Sequence, residues 1–166
     1  VVAAVNLDIP DFADPATGVL VSLPERNGLN QLHLLAGRLP EPERDDETVV
    51  SQAFAEAHGF GPGAHLSAII DGRLQRLTIV GIAVSPEYIY QIKPGDLFPD
   101  FARHGVLWMN REPLARAYDM DGAFNDLLLT LTREGRPKDV IERLDDLLEP
   151  YGGLGAIERS DQLSDR

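Results

Sequence analysis

Glycines, aspartates and histidines at short spacing are the residues of this sequence that could support chemistry. Residues 59–63 read Gly-Phe-Gly-Pro-Gly, which resembles a loop that cradles phosphate. Such a loop needs a strand before it and a helix after it, because the amides at the start of the helix face the anion. Here the order is reversed, since a predicted helix ends at Gly59, and Pro62 removes one amide donor. The pattern therefore predicts a turn.

A second candidate is the acidic turn Asp119-Met120-Asp121-Gly122. A calcium loop of the EF-hand type needs acidic or amide ligands at alternate positions, a central glycine and a glutamate at the twelfth position. Only a fragment of that pattern is present. The sequence favours the end of a helix closed by Gly122.

The remaining chemical side chains form no recognisable catalytic or metal motif. The four histidines, which lack the spacing of a two-histidine metal motif, are His33, His58, His65 and His104. We interpret His58 as a helix C-terminal residue that favours the dipole and the last carbonyls, and Ser51 as an N-cap, since Gly-x-Ser-x-Gly is absent. The chain contains no cysteine, which removes thiol chemistry. We predict no catalytic residue, no metal and no cofactor.

Composition limits the class of protein. The chain has 166 residues, which suits one domain, and a formal net charge of −12. Such a surface repels phosphate backbones and excludes a nucleic-acid partner. The longest apolar stretch, residues 77–84, is far shorter than the roughly 20 residues that cross a bilayer. Because the sequence opens on a strand-like run without Met and closes on a polar tail, we expect a segment of a larger protein.

Short apolar runs separated by turn residues predict the elements of the first half. Strands are expected at residues 1–9, 19–23, 48–50, 65–70 and 73–84. The last two flank Asp71-Gly72, whose residue types favour a two-residue hairpin turn. The leucines at 29, 32, 34 and 35 predict a short helical turn, and residues 41–47 predict an acidic surface loop in which like charges do not pack. Ser51 opens an alanine-rich helix that ends at Gly59.

The second half predicts strand, helix, strand and helix. The strands are residues 105–109 and 124–132, and the helices are residues 111–119, capped by Asn110, and 137–149. The last helix carries its apolar residues at helical spacing on one face: Val140, Ile141, Leu144, Leu147 and Leu148. Strands and helices mix without strict alternation, which indicates an α+β fold.

The connection from residue 85 to residue 104 is rich in aromatic residues. It contains four aromatic residues, Tyr88, Tyr90, Phe98 and Phe101. Together with Trp108, which we expect in the core, they are five of the 11 aromatic residues of the chain. Exposed rings would mark contact with a partner protein. The alternative is that they fold back and cover the sheet. The sequence leaves both interpretations open.

Several segments, taken in order, resemble the MacB-like periplasmic core domain of FtsX-type ABC transporter permeases. They are Leu-Ala-Gly-Arg-Leu-Pro at 35–40, Val-Val-Ser-Gln-Ala-Phe-Ala at 49–55, Gly-Pro-Gly at 61–63, Leu-Thr-Ile-Val-Gly-Ile-Ala at 77–83 and Gly-Val-Leu-Trp-Met at 105–109. Ser-Pro-Glu-Tyr at 85–88 and Pro-Tyr-Gly-Gly at 150–153 are similar to a bacterial subgroup of these permeases. The resemblance spans nearly the whole chain and is weakest before residue 18.

The resemblance implies a single extracytoplasmic domain, residues 1–166, anchored in the cell membrane by the rest of a permease. Its fold would be a porter-like mixed sheet with helices on one face, formed by residues 1–47 and 104–157. A strand-rich insertion with its connecting loop, residues 48–103, would interrupt it. The long helix that usually leads out of the membrane in this family is absent from the start of the chain.

The implied function is transmission of ATP-driven movement, without catalysis, to an extracytoplasmic client. An ATP-binding cassette subunit or domain would hydrolyse the ATP, and the client would be a lipid, a lipoprotein, a peptide or a partner protein. Two alternatives come from the residues. One is a binding module that recruits a cell-wall or envelope protein through residues 85–103. The other, an extracytoplasmic hydrolase, rests only on the abundant carboxylates and histidines.

Overall fold

The computed structural model of the chain describes residues 1–24, 28–88 and 100–158. Its strands are β1 (Val2–Asp8), β2 (Ala16–Ser22), β3 (His33–Gly37), β4 (Glu47–Ser51), β5 (His65–Ile70), β6 (Arg73–Val84) and β7 (His104–Met109). Its helices are α1 (Gln52–His58), α2 (Arg111–Ala117) and α3 (Pro137–Leu148), the last followed by a 3-10 turn, Glu149–Tyr151. The α+β class predicted from the sequence is confirmed.

The seven strands form one mixed sheet in the order β3-β6-β4-β7-β2-β1-β5, and β5 also pairs with β6. Because β5 pairs with both β1 and β6, six of the strands close into a ring. β4 pairs parallel with β6 and β2 pairs parallel with β7, whereas the remaining pairs are antiparallel. The predicted hairpin is confirmed, since Asp71 and Gly72 both have positive φ, 45° and 74°, as a type I′ turn requires.

Side chains from all six strands of the ring meet in one hydrophobic cluster, which therefore fills the inside of the ring. Leu20, Leu66, Leu77, Ile79 and Leu107 are among its most deeply buried members. α1 and α2 contribute to the same cluster, most of all through Phe54 and Leu114. Burial of this apolar surface is the main stabilising contribution to the fold.

Four neighbouring strands are apolar on their outer face as well. Val21, Val49, Ala83, Val106 and Trp108, from β2, β4, β6 and β7, form a second cluster, which we call the outer cluster. Side chains alternate between the two faces of a strand, so these residues interleave with those inside the ring. The predicted burial of Trp108, and of both faces near the end of the second hairpin arm, is confirmed.

Two sequence predictions of secondary structure are wrong. The leucines around residue 34 lie on strand β3, which pairs antiparallel with the end of β6, and do not form a helical turn. Residues 124–132 form no strand, and their apolar side chains are exposed, Leu129 by 51%. The backbone of this segment joins no strand of the described sheet; its contact with β1 is made by the Asn125 side chain, which accepts from the Val2 amide at 2.9 Å and donates to the Val2 carbonyl at 2.7 Å.

The chain divides into two compact units, Val1–Leu127 and Leu128–Arg166. The first contains the whole sheet with α1 and α2, and the second contains α3 and the 3-10 turn. α3 ends at Leu148, one residue before its predicted end, and the 3-10 turn that follows closes on Gly152, in the left-handed conformation at φ 75°. No residue of α3 is buried, and Leu147 is 67% exposed. The proposed division into a porter-like part and a strand-rich insertion stays a prediction.

Candidate functional site

Residues 59–63 form the turn that the sequence predicts. Gly59 ends α1 in the left-handed conformation, at φ 65°. The amide of Gly63 donates to the Ile79 carbonyl at 2.7 Å and joins the turn to β6. The segment follows the carbonyl end of a helix, which does not attract anions. A structural turn is therefore confirmed at this position.

The acidic turn after α2 is also structural. The amide of Met120 donates to the Ala115 carbonyl at 2.8 Å, and Gly122 has φ 72°. The left-handed residue that closes the helix is Asp119, at φ 54°, whereas Gly122, the predicted closing residue, lies in the next turn, where the Ala123 amide donates to the Met120 carbonyl at 3.0 Å. Within the described residues, no group of three or more histidine, aspartate or glutamate side chains is arranged to hold a metal ion.

The histidines are dispersed over the first unit. His104, which is buried, places Nδ1 3.1 Å from the hydroxyl of Thr17. His58 lies among three phenylalanine rings, and its Nε2 is 2.8 Å from the Ala102 carbonyl. The expected contact of His58 with the last carbonyls of its own helix is thus replaced by one with the turn before β7.

The acidic segment at residues 41–47 differs from its predicted structure, a surface loop. Glu47 was predicted on an exposed loop, but it starts β4 and its side chain is only 6% exposed. Both of its carboxylate oxygens accept from the Arg38 guanidinium, at 2.7 and 2.8 Å, and the Glu41 amide donates at 2.9 Å. These hydrogen bonds, above all those from Arg38, hold the pKa of Glu47 below its usual value.

Ser51 and Asn110 precede helices as predicted, but neither side chain caps its helix. The Ser51 hydroxyl accepts from the Val106 amide at 3.5 Å. The Asn110 amide donates to the carbonyls of Glu41 and Arg44 at 2.6 and 3.1 Å. Both residues therefore connect the strands and loops around the helix starts.

The four aromatic residues predicted to contact a partner are only partly described. Tyr88 is half-buried and packs edge-on against Trp108, with ring centroids 6.1 Å apart. Phe101 is 36% exposed and lies in the turn before β7. Trp108 is near the other end of β7, so the structure does not place these two rings side by side. Tyr90 and Phe98 lie outside the described residues, and the contact role of all four stays a prediction.

A cleft of about 330 Å³ opens beside Tyr88. We call it the Tyr88 cleft; its described lining is Gln52, Ala53, Glu56, Ala83, Val84, Ser85 and Tyr88. The three α1 residues share one face of that helix because of their spacing. The Gln52 amide donates to the Glu56 carboxylate at 2.7 Å, so the two side chains meet on the exposed face of α1.

The sequence prediction included Tyr88 but missed Gln52 and Glu56. Their i, i+4 spacing on a predicted helix was a signal that they share a face. The sequence did not show that this face lies against the end of β6, because that position depends on the parallel pairing of β4 with β6.

The α+β fold is similar to that of the extracellular domain of one ABC-type transporter. No protein-family model and no curated protein matches the sequence. Among solved structures, the extracellular domain of the ABC-type transporter YknZ from Gram-positive bacteria superposes with a TM-score of 0.52 at 14% identity. The match covers 93% of this chain and 75% of that one. A domain of a protein assigned as a permease, from Porphyromonas gingivalis, gives a TM-score of 0.43 at 13% identity over 91% of this chain and 70% of that one.

A helix that crosses a bilayer needs about 20 predominantly apolar residues. Among the residues that the structure describes, no helix combines enough length with enough apolar character to cross a bilayer.

Proposed function

We propose that this chain is a non-catalytic extracytoplasmic domain of an ABC transporter permease. The observation that carries the proposal is the fold similarity to the YknZ extracellular domain over 93% of the chain. The dispersed histidines and the absence, among the described residues, of a side-chain cluster suited to a metal support a role without bond-making chemistry.

Within this class, the segment order of the sequence favours the MacB-like periplasmic core domain of an FtsX-like permease. The rest of the permease would anchor the domain in the cell membrane and connect it to an ATP-binding cassette subunit or domain. ATP-driven movement of the membrane helices would then displace the domain, which passes the motion to a lipid, lipoprotein, peptide or protein client. The closed ring of strands suits this role, because a well-packed unit transmits displacement without deforming.

The parent gene provides the first test. We expect membrane helices encoded on both sides of the segment, and a gene product without any membrane helix would overturn the proposal. The functional test replaces residues 1–166 in the full-length permease with a glycine-serine linker. We expect ATP hydrolysis by the reconstituted transporter to persist while activity on the client is lost. Unchanged activity on the client would contradict the transmission role.

A further inference from the structure

We propose that the Tyr88 cleft binds the side chain of a lysine or arginine on an extracytoplasmic protein partner. This inference names the chemistry of the client in the proposed function, and it rests on that function only for the identity of the partner. The site itself follows from the size, lining and charge of the cleft.

The cleft has room for one long side chain. Small-molecule pockets commonly occupy about 300–1,000 Å³, and the Tyr88 cleft, at about 330 Å³, is at the lower end of that range. Ala53, Ala83 and Val84 give it apolar walls. Such walls suit the aliphatic stem of a long basic side chain, which packs against apolar surface while its charged end stays hydrated or paired.

The polar groups of the cleft select a cation. Glu56 is the one acidic side chain among the described lining residues, and none of those residues is lysine, arginine or histidine. Gln52 donates to one carboxylate oxygen of Glu56, and the other oxygen can accept from an ammonium or guanidinium group. Tyr88 adds an aromatic ring, whose face attracts cations.

Two features outside the cleft support the same occupant. Tyr88 packs against Trp108 and the outer cluster, so its ring is held in position before a ligand arrives. The chain carries a formal net charge of −12, which attracts a basic partner over a distance of about a Debye length, ~8 Å at physiological salt. The surface charge speeds the encounter, and the cleft supplies the specific contact.

The test uses the 166-residue chain and three capped tripeptides, Gly-X-Gly, in which X is lysine, norleucine or glutamate. Binding is followed by NMR through the backbone amides of the lining residues. We expect the lysine peptide to shift the amides of Gln52, Ala53 and Glu56, the norleucine peptide to shift them much less, and the glutamate peptide not to shift them. Equal shifts from lysine and norleucine would overturn the cation site.

Variants separate the cleft from the general acidity of the surface. Glu56→Gln keeps the shape and should weaken lysine-peptide binding by about two- to fivefold, the size expected for a solvent-accessible ion pair. Glu43→Gln, which removes the same charge from the exposed loop before β4, should leave binding unchanged. Tyr88→Leu, which removes the aromatic ring, should bind more weakly. An equal effect of Glu56→Gln and Glu43→Gln would show nonspecific attraction and overturn the proposal.

The result is distinguishable from a failure of the proposed function. Peptide binding is measured on the chain alone, without a transporter. A cleft that fails to bind would leave the permease assignment standing, whereas a gene product without membrane helices would leave a binding result intact.

Discussion

At the scale of single residues, Glu47 and Tyr88 show how the molecule uses polar and aromatic groups beside its core. Glu47 is a buried carboxylate at the start of β4. The Arg38 guanidinium and the Glu41 amide donate hydrogen bonds to its two oxygens. Tyr88 places one side of its ring against Trp108 and lines a cleft with the rest. Each side chain therefore carries a polar group and also packs against its neighbours. Replacing either residue should change the free energy of unfolding by a measurable amount.

Replacement of Glu47 by glutamine tests the ion pair between this buried carboxylate and the half-exposed Arg38. Glu47→Gln should lower the free energy of unfolding by about 1–3 kcal/mol, because the Arg38 guanidinium loses its charged acceptor. Since the folded state lowers the pKa of Glu47, its stabilisation is present above the ordinary glutamate pKa and is lost as pH falls through the lower folded-state value. Urea unfolding between pH 7 and about 3 should show a shallower acid dependence in the variant.

The matched control for this experiment is Glu43→Gln, in the exposed part of the same loop. It should change stability by less than about 0.5 kcal/mol. If both variants unfold alike at every pH, the hydrogen bonds between Arg38 and Glu47 contribute nothing net.

Tyr88 and Phe101 are the two described members of the four predicted contact residues. Their truncation should lower the stability of the protein by different amounts. Tyr88→Ala should cost about 1–2 kcal/mol, because it uncovers part of the outer cluster, while Tyr88→Leu, which keeps more of the apolar cover, should cost less. Phe101→Ala, at a more exposed position, should cost less than Tyr88→Ala. Thermal unfolding of the three variants measures this order. A larger loss for Phe101→Ala would show that the turn before β7, rather than Tyr88, is the better packed segment.

At the scale of elements, the sheet and α1 fit together through a close approach at Gly105. A Cβ at this position would lie 2.8 Å from the ring of Phe54, inside the core. Gly105→Ala should therefore destabilise the protein by about 1–3 kcal/mol through overpacking. Gly61→Ala is the matched control, because its Cβ would meet no atom within 4 Å. Urea midpoints compare the two, and an equal shift would mean that the ring of Phe54 moves aside at little cost.

Most elements of the first unit could be predicted from sequence because local signals and tertiary pairing agree there. The turn at Asp71-Gly72 and the left-handed Gly59 fix their elements through backbone geometry alone. β3 could not be predicted, since its leucines also fit helical spacing and only pairing with the end of β6 makes it a strand. Residues 124–132 are the opposite case, an apolar run whose backbone joins no strand of the described sheet.

The candidate site was predictable only in part, for a related reason. Tyr88 stood out as one of several aromatic residues in a long connection. Glu56 had the local signature of an exposed helical residue paired with Gln52, which is common on any helix surface. The cleft exists because the parallel pairing of β4 with β6 brings α1 beside the end of β6. Such long-range register is not encoded in residue types over a short window.

At the scale of the whole molecule, the proposed location outside the membrane can be tested by chemical labelling, because the chain contains no cysteine. A single Arg73→Cys, at an exposed position after the hairpin turn, should react with a membrane-impermeant maleimide in intact spheroplasts that express the full-length permease. Ser51→Cys, at a position only 1% exposed, should react only after denaturation. The unsubstituted permease measures background from cysteines elsewhere in the protein. Labelling of Arg73→Cys that requires permeabilised membranes would place the domain on the cytoplasmic side, where it could not reach an extracytoplasmic client.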